Sequence, residues 1–180
     1  LLSDEHADEV IQAPTVWGLE DFDFDIWRCR FHRLIQTTVE YLTVHLPRHR
    51  FERLWVFSLG DKLNGDIHGA SAHNHFPNAL KAAIAVAEVE AQGVQELARH
   101  VPVHWVGVSG NHPRRSIRKD FNGPTDNFDF MVSAMVAMLL KPDIESGRVT
   151  VDAPDSWTAF VDVRGHSWCL NHGDDVMGYA

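Results

Sequence analysis

Two uninterrupted apolar runs, Leu54-Trp-Val-Phe-Ser-Leu59 and Val103-His-Trp-Val-Gly-Val108, constrain this chain more than anything else in it. Neither alternates polar with apolar, so each reads as a strand buried on both faces, the kind found in parallel sheets. Between them, residues 78–99 repeat apolar side chains at helical steps: Leu80, Ile84, Ala87, Ala91, Val94 and Ala98. A strand, a crossing helix and a second buried strand imply a parallel pair in an α/β sheet. The flanking sequence extends the pattern. Residues 23–46 carry Trp27, Phe31, Leu34, Ile35, Thr38 and Leu42 on one helical face, and Pro47 ends that helix. A third helix is expected over about 126–140, and further strands near 157–163 and 166–171. The expected fold is α/β, with a central, largely parallel or mixed sheet and helices packed on its faces, in one domain over residues 1–180.

A chain of 180 residues can bury roughly two-thirds of its unfolded surface without cross-links. No apolar run approaches the roughly 20 residues of a membrane helix, and no basic-then-apolar leader opens the sequence. Cys29 and Cys169 stand far apart and in no metal-type spacing, so we expect a reducing, cytoplasmic setting. Sixteen basic and 25 acidic residues give a net charge of -9, against a broad surface that grips nucleic acid by counterion release. A few well-placed cations could still hold one phosphate.

In open α/β sheets, ligands bind beyond the carboxyl ends of the strands. Four segments fall there. The chain opens on an apolar stub ending in Asp4-Glu5-His6; the 54–59 run leads into Gly60-Asp61; the 103–108 run leads into Ser109-Gly110-Asn111-His112; and the last strand leads into Asn171-His172-Gly173-Asp174. Carboxylate, amide and imidazole donors together suit divalent Mn, Fe or Zn rather than copper or an iron–sulfur cluster. An aspartate between two such donor groups can bridge two ions, roughly 3.5–4 Å apart. Each segment alone is a common sequence. Their order, each at an expected strand end, is the informative fact.

In that order the segments resemble the calcineurin-like metallophosphoesterase family, which includes phosphatases, phosphodiesterases and nucleases. The motifs carrying the resemblance are Asp-x-His, Gly-Asp, Gly-Asn-His and a later histidine followed by glycine, spread over residues 4–174. Gly60-Asp61-x-x-x-Gly65-Asp66-Ile67-His68 and Asp126-Asn127-Phe128-Asp129 look like bacteriophage-type members. The resemblance implies an α/β sandwich and two divalent ions, Mn foremost, with Fe, Zn, Ni or Mg as alternatives. By position it makes Asp4 and His6 ligands of one ion, Asp61 the bridge, and Asn111 and His172 ligands of the other. His112 becomes the catalytic imidazole, outside the ligand set and facing the leaving group. It implies a bridging hydroxide that attacks phosphorus in line.

Three departures stand out. The family's final Gly-His-x-His is absent, and almost no strand precedes Asp4; together these read as a catalytic domain cut short at both ends. The aspartate common three residues after the bridge is Asn64 here, with Asp66 nearby to cover its role.

Arg114, Arg115, Arg118 and Lys119 follow His112 within a few residues. They are either a clamp for substrate phosphates, Arg114 and Arg115 foremost, or a solvated basic loop. His68, His73 and His75 lie in the Gly65 to His75 loop; His68 is a candidate substrate contact, whereas His73 and His75 read as polar surface. Met131, Met135 and Met138 at helical spacing read as core. The expected activity is therefore a metal-dependent phosphoesterase, as a phosphodiesterase or nuclease on nucleic acid or nucleotides. The alternatives are a phosphomonoesterase and a non-catalytic metal-binding scaffold.

Overall fold

The computed structural model describes residues 1–67, 74–118 and 122–174. Three strands form a parallel sheet in the order β1-β2-β3: β1 (Leu54–Ser58), β2 (Val103–Gly107) and β3 (Val149–Asp152). Their register places Leu54 beside Val103 and Val103 beside Val149. The amino-terminal stub extends this sheet beyond β1. Leu2 bridges Ser58 in parallel, its N–H donating to the Phe57 carbonyl at 2.8 Å and its carbonyl accepting from Leu59 at 2.8 Å.

Strand alternation divides the sheet's side chains between two layers. Val103 and Trp105, with Leu54 and Val56, join the main core beneath the helices. Val106 and Val108, with Trp55 and Phe57, point the other way, against Ala159 and Leu170. Those last two belong to an antiparallel hairpin, β4 (Thr158–Val163) and β5 (His166–Asn171). The expected mixed α/β architecture is present, but with an unexpected division. The helices gather on one face and a hairpin covers the other, because Ala159 and Leu170 of β4 and β5 pack against the face that carries Val106 and Val108.

Helix α1 (Phe24–Glu40) is capped by Asp23, whose carboxylate accepts from the Ile26 N–H, and its last residues widen into a π-turn over Tyr41–His45. It buries Phe24, Trp27, Phe31 and Ile35 as expected, while Leu34 stays exposed. Helix α2 (Ala79–Ala98) is capped by Asn78 and buries Ala82, Ala83, Val86 and Glu90; Leu80 and Ile84, expected inside, are exposed. Small residues are turned inward because the neighbouring elements come close: a Cβ on Gly93 would lie 2.6 Å from the Phe31 ring. Helix α3 (Phe128–Leu139) packs along α2, with Met131 and Met135 against the core and Met138 exposed. A short α4 (Lys141–Glu145) leads into β3. Among the described residues no helix is long and apolar enough to cross a membrane. Cys29 and Cys169 are both free and exposed.

Candidate metal centre

Two of the four strand-end segments are tied by backbone hydrogen bonds, and a third packs closely against them. Asp4 N–H donates to the Gly60 carbonyl (3.1 Å) and His6 N–H to the Asp61 carbonyl (3.0 Å). The Gly60 and Gly110 turns touch so closely that a Cβ on Gly60 would lie 2.5 Å from the Gly110 nitrogen. A methyl on Gly110 would run into the Asp61 carboxylate. Glycine is required at both turns for this approach.

The tightness extends to backbone conformation. Asp4 (φ 54°), His6 (φ 39°) and Asp61 (φ 54°) all adopt the left-handed region. For a non-glycine residue this is uncommon, and aspartate and histidine are among the residue types that tolerate it. Three such residues within one small volume mark a place where donor direction has been favoured over backbone comfort.

The side chains converge accordingly. His6, Asp61 and His112 each offer a donor atom within 4.8 Å of the others; so do Asp4, Asp61 and His172. Asp61 belongs to both clusters. Asn111 joins through its Oδ1, 3.0 Å from His172 Nε2. All five expected ligand residues and His112 therefore share one centre at the carboxyl end of the sheet. The resemblance pairs Asp4 with His6 and keeps His112 apart. In this geometry His6 groups with His112 about Asp61, the two rings meeting edge to face at 4.6 Å. Distance alone therefore does not separate a ligand from a proton donor here.

His172 shows how its ring is aimed. Its Nδ1 lies 2.8 Å from the Leu59 carbonyl, which can only accept, so Nδ1 carries a proton. Its Nε2 faces Asp61 Oδ2 at 3.1 Å. With both nitrogens against acceptors, the hydrogen bond to Asp61, against the cost of burial, pushes the ring's pKa up to about 9; an ion at Nε2 would take the place of that nitrogen's proton. Burial works to raise Asp61, but the hydrogen bonds from His172 and from the His112 N–H outweigh it and hold Asp61 below the usual carboxylate range. A histidine pinned through Nδ1 by a backbone carbonyl presents Nε2 in a fixed direction, the usual arrangement behind a metal-binding imidazole. Mixed carboxylate, amide and imidazole donors around a shared, buried aspartate fit divalent ions.

The residue that sequence reasoning passed over is Asp129. It is fully buried, and its carboxylate accepts three backbone N–H groups: Asp61 (2.8 Å) and Gly110 (2.9 Å) on Oδ2, and Lys62 (3.0 Å) on Oδ1. Asn127 caps α3 through the Asp129 N–H and donates to the Gly110 carbonyl at 2.8 Å. The first turn of α3 thus holds the Gly-Asp and Gly-Asn-His loops together. The signal was in the sequence as Asp126-Asn127-Phe128-Asp129, without a role attached.

Beneath the loops lies a second buried group. Lys62 is fully buried with its ammonium 5.4 Å from the centre of the Trp105 ring. Glu90 is buried without a hydrogen bond to either oxygen, and burial pushes it up to about 8 despite the opposing charge of Lys62. Glu5 keeps part of its surface in solvent, but its carboxyl end is enclosed and accepts from Trp27 Nε1 at 3.0 Å; burial raises it too.

The remaining candidates are placed as follows. Arg114 donates to the carbonyls of Asn111, Ser116 and Ile117, holding its own loop in shape. Arg115 is exposed and pairs with Asp126 at 2.6 Å. Asn64 donates its N–H to buried Asp8 and its amide to Asn74, while Asp66 accepts the Ala79 N–H at the start of α2. Asp66 therefore supports the helix start. His75 is exposed beside Phe24 and Phe76. His68 and His73 lie outside the described residues. Neither a family model, a curated protein nor a solved structure matches this chain.

Proposed function

We propose that the chain is a metal-dependent phosphoesterase acting through a dinuclear centre bridged by Asp61, and that its substrates are phosphodiesters, nucleic acid or nucleotides among them. One observation carries the reading: two donor clusters at the carboxyl ends of the strands share Asp61. Two divalent ions, when bound, would supply Lewis acidity and a hydroxide nucleophile near neutral pH. The protein's own part follows from its side chains. Asp61 is turned by the His112 N–H on Oδ1, leaving Oδ2 toward His6 and His172. The resemblance would give Asp4 and His6 to one ion and Asn111 and His172 to the other, whereas by distance Asp4 groups with His172 and His6 with His112 about the shared Asp61. His112, beside His6, donates a proton to the departing oxygen, a role suited to an imidazole near neutral pH. Arg115, three residues after His112 and exposed, is a cation that a phosphate can recruit, at the cost of only a surface ion pair.

The test is hydrolysis of bis(p-nitrophenyl) phosphate by the full-length protein with added Mn, in strong chelator, and with Asp61→Ala. Turnover should require the ion and vanish in the variant. Undiminished turnover in chelator would overturn the proposal.

A further inference from the structure

A cleft of about 640 Å³ opens at the other end of the sheet, lined by Arg50, Phe51, Arg53, Trp55 and Arg164 among others. It lies at the amino end of β1 and against the β4–β5 turn, whereas Asp61 follows the carboxyl end. The length of β1 alone sets the two about 16 Å apart. Nothing in the proposed chemistry uses it.

Its charge is opposite to that of the molecule. Three guanidinium groups against the single carboxylate of Glu52 leave about +2 within the cleft, in a chain of net charge -9. These cations are available. Arg50 is exposed and has no ion pair among the described residues. Arg164 meets Glu52 at 2.9 Å, but both are at least three-quarters exposed, and such pairs contribute little. Arg53 sits over Trp55, with its guanidinium carbon 5.8 Å from the ring centre, and touches His104 at 3.3 Å.

Aromatic surface is interleaved with the cations. His104 stacks on Trp55 at 4.2 Å and is itself held by Asp152, so this part of the floor is rigid. Phe51 is 41% exposed, with His49 stacked near it at 6.2 Å. Guanidinium groups that can grip phosphates, set among exposed rings on which bases can stack, make up the recognition chemistry of single-stranded nucleic acid. A purely anionic partner would have no use for the rings. The concave shape focuses the local field despite the acidic remainder of the chain.

We propose that this cleft is a second, non-catalytic site that binds a single-stranded segment of nucleic acid, with Arg50, Arg53 and Arg164 on phosphates and Phe51 under a base. The site goes beyond the phosphoesterase reading and stands whether or not the chain is catalytic.

The experiment is fluorescence anisotropy of a 5′-fluorescein-labelled oligo-dT dodecamer with the full chain, in chelator so that no ion takes part. Three phosphates neutralised on a single strand give a log–log salt slope of about -2, so affinity should fall roughly twenty-fold between 50 and 200 mM salt. Arg50→Ala/Arg164→Ala should weaken binding at 50 mM at least tenfold. Phe51→Ala should weaken the oligonucleotide several-fold without changing the binding of heparin, a polyanion with no bases. Asp61→Asn should bind the oligonucleotide as the parent does. Absence of binding at 50 mM salt, or full affinity in the double variant, would overturn the proposal. So would equal loss of heparin and oligonucleotide in Phe51→Ala, which would make the cleft a general polyanion site. Loss of binding in Asp61→Asn would place the oligonucleotide at the metal centre instead.

Discussion

Replacing Asp129 by asparagine tests whether one buried carboxylate holds the centre together. The carboxylate accepts three N–H donors from two loops. An asparagine of the same shape keeps one acceptor oxygen. If that oxygen takes the position of Oδ2, the Asp61 and Gly110 bonds survive as neutral ones, and the new NH2 group faces the Lys62 N–H. That donor is buried and left without an acceptor, at about 1–3 kcal/mol. Loss of charge on the two remaining bonds adds roughly 0.5–1 kcal/mol each, since bonds to charged groups are about twice as strong. The sum is about 2–5 kcal/mol. The opposite orientation orphans two donors and costs more. Urea unfolding in chelator reads this without any ion. Titration with Mn then reads the positioning role, with affinity expected to fall about 10- to 100-fold, as for other residues that orient ligands. A stability loss under 0.5 kcal/mol with unchanged ion affinity would refute the argument. An ordinary structural defect would lower stability while leaving the affinity of the folded fraction intact.

Three further outcomes are expected. His112→Ala should keep its metal content by elemental analysis but hydrolyse alkyl or nucleoside esters 100- to 10,000-fold more slowly, with p-nitrophenyl esters suffering least; loss of metal would make His112 a ligand. Gly110→Ala should cost at least about 1–3 kcal/mol in chemical unfolding and abolish ion binding, because its methyl meets the Asp61 carboxylate and backbone. Glu90→Gln addresses pH. A carboxyl with a folded pKa near 8 and an ordinary unfolded value near 4.5 favours the fold when protonated. Its penalty is absent below about pH 4.5 and grows as pH rises toward 8. The variant should therefore gain in Tm over the parent at pH 8, with the gain shrinking toward pH 5; a gain that is constant across this range would show that Glu90 does not titrate there.

The two central strands and the three long helices were legible because burial on both faces, or along one stripe, leaves a continuous or periodic apolar trace. β3 was not: Val149–Asp152 is four residues long, and Thr150 and Asp152 break any apolar run. The convergence of the candidate residues was legible because strand ends fix where chemistry can stand, and Asp4, His6, Asp61, Asn111 and His172 all arrive there. What sequence could not convey is the depth of Lys62, Glu90 and Asp129. Charged residues are ordinarily placed at the surface on sight, and only tertiary structure reveals that α2 turns its alanines and Glu90 inward while Leu80 and Ile84 face water. The hairpin's position opposite the helices was equally hidden, since alternation in β4 and β5 says which residues share a face but not which layer that face meets.

That hairpin is lightly held. Its inner face contributes Ala159 and Leu170 as buried apolar residues, against the long helical core on the other side of the sheet. His172 stands one residue past its end and reaches Leu59 and Asp61 from there. Cooperative units with few buried apolar contacts open more readily than the rest of a domain. Local opening of the hairpin, with the helices and the three parallel strands still folded, would carry one imidazole away and leave Asp4, His6, Asp61 and Asn111 in place. An ion engaging His172 would close that local equilibrium by mass action. If an ion binds as proposed, occupancy at the centre and docking of the hairpin would be two views of one linked process, with the layer farthest from the main core as the latch of the site.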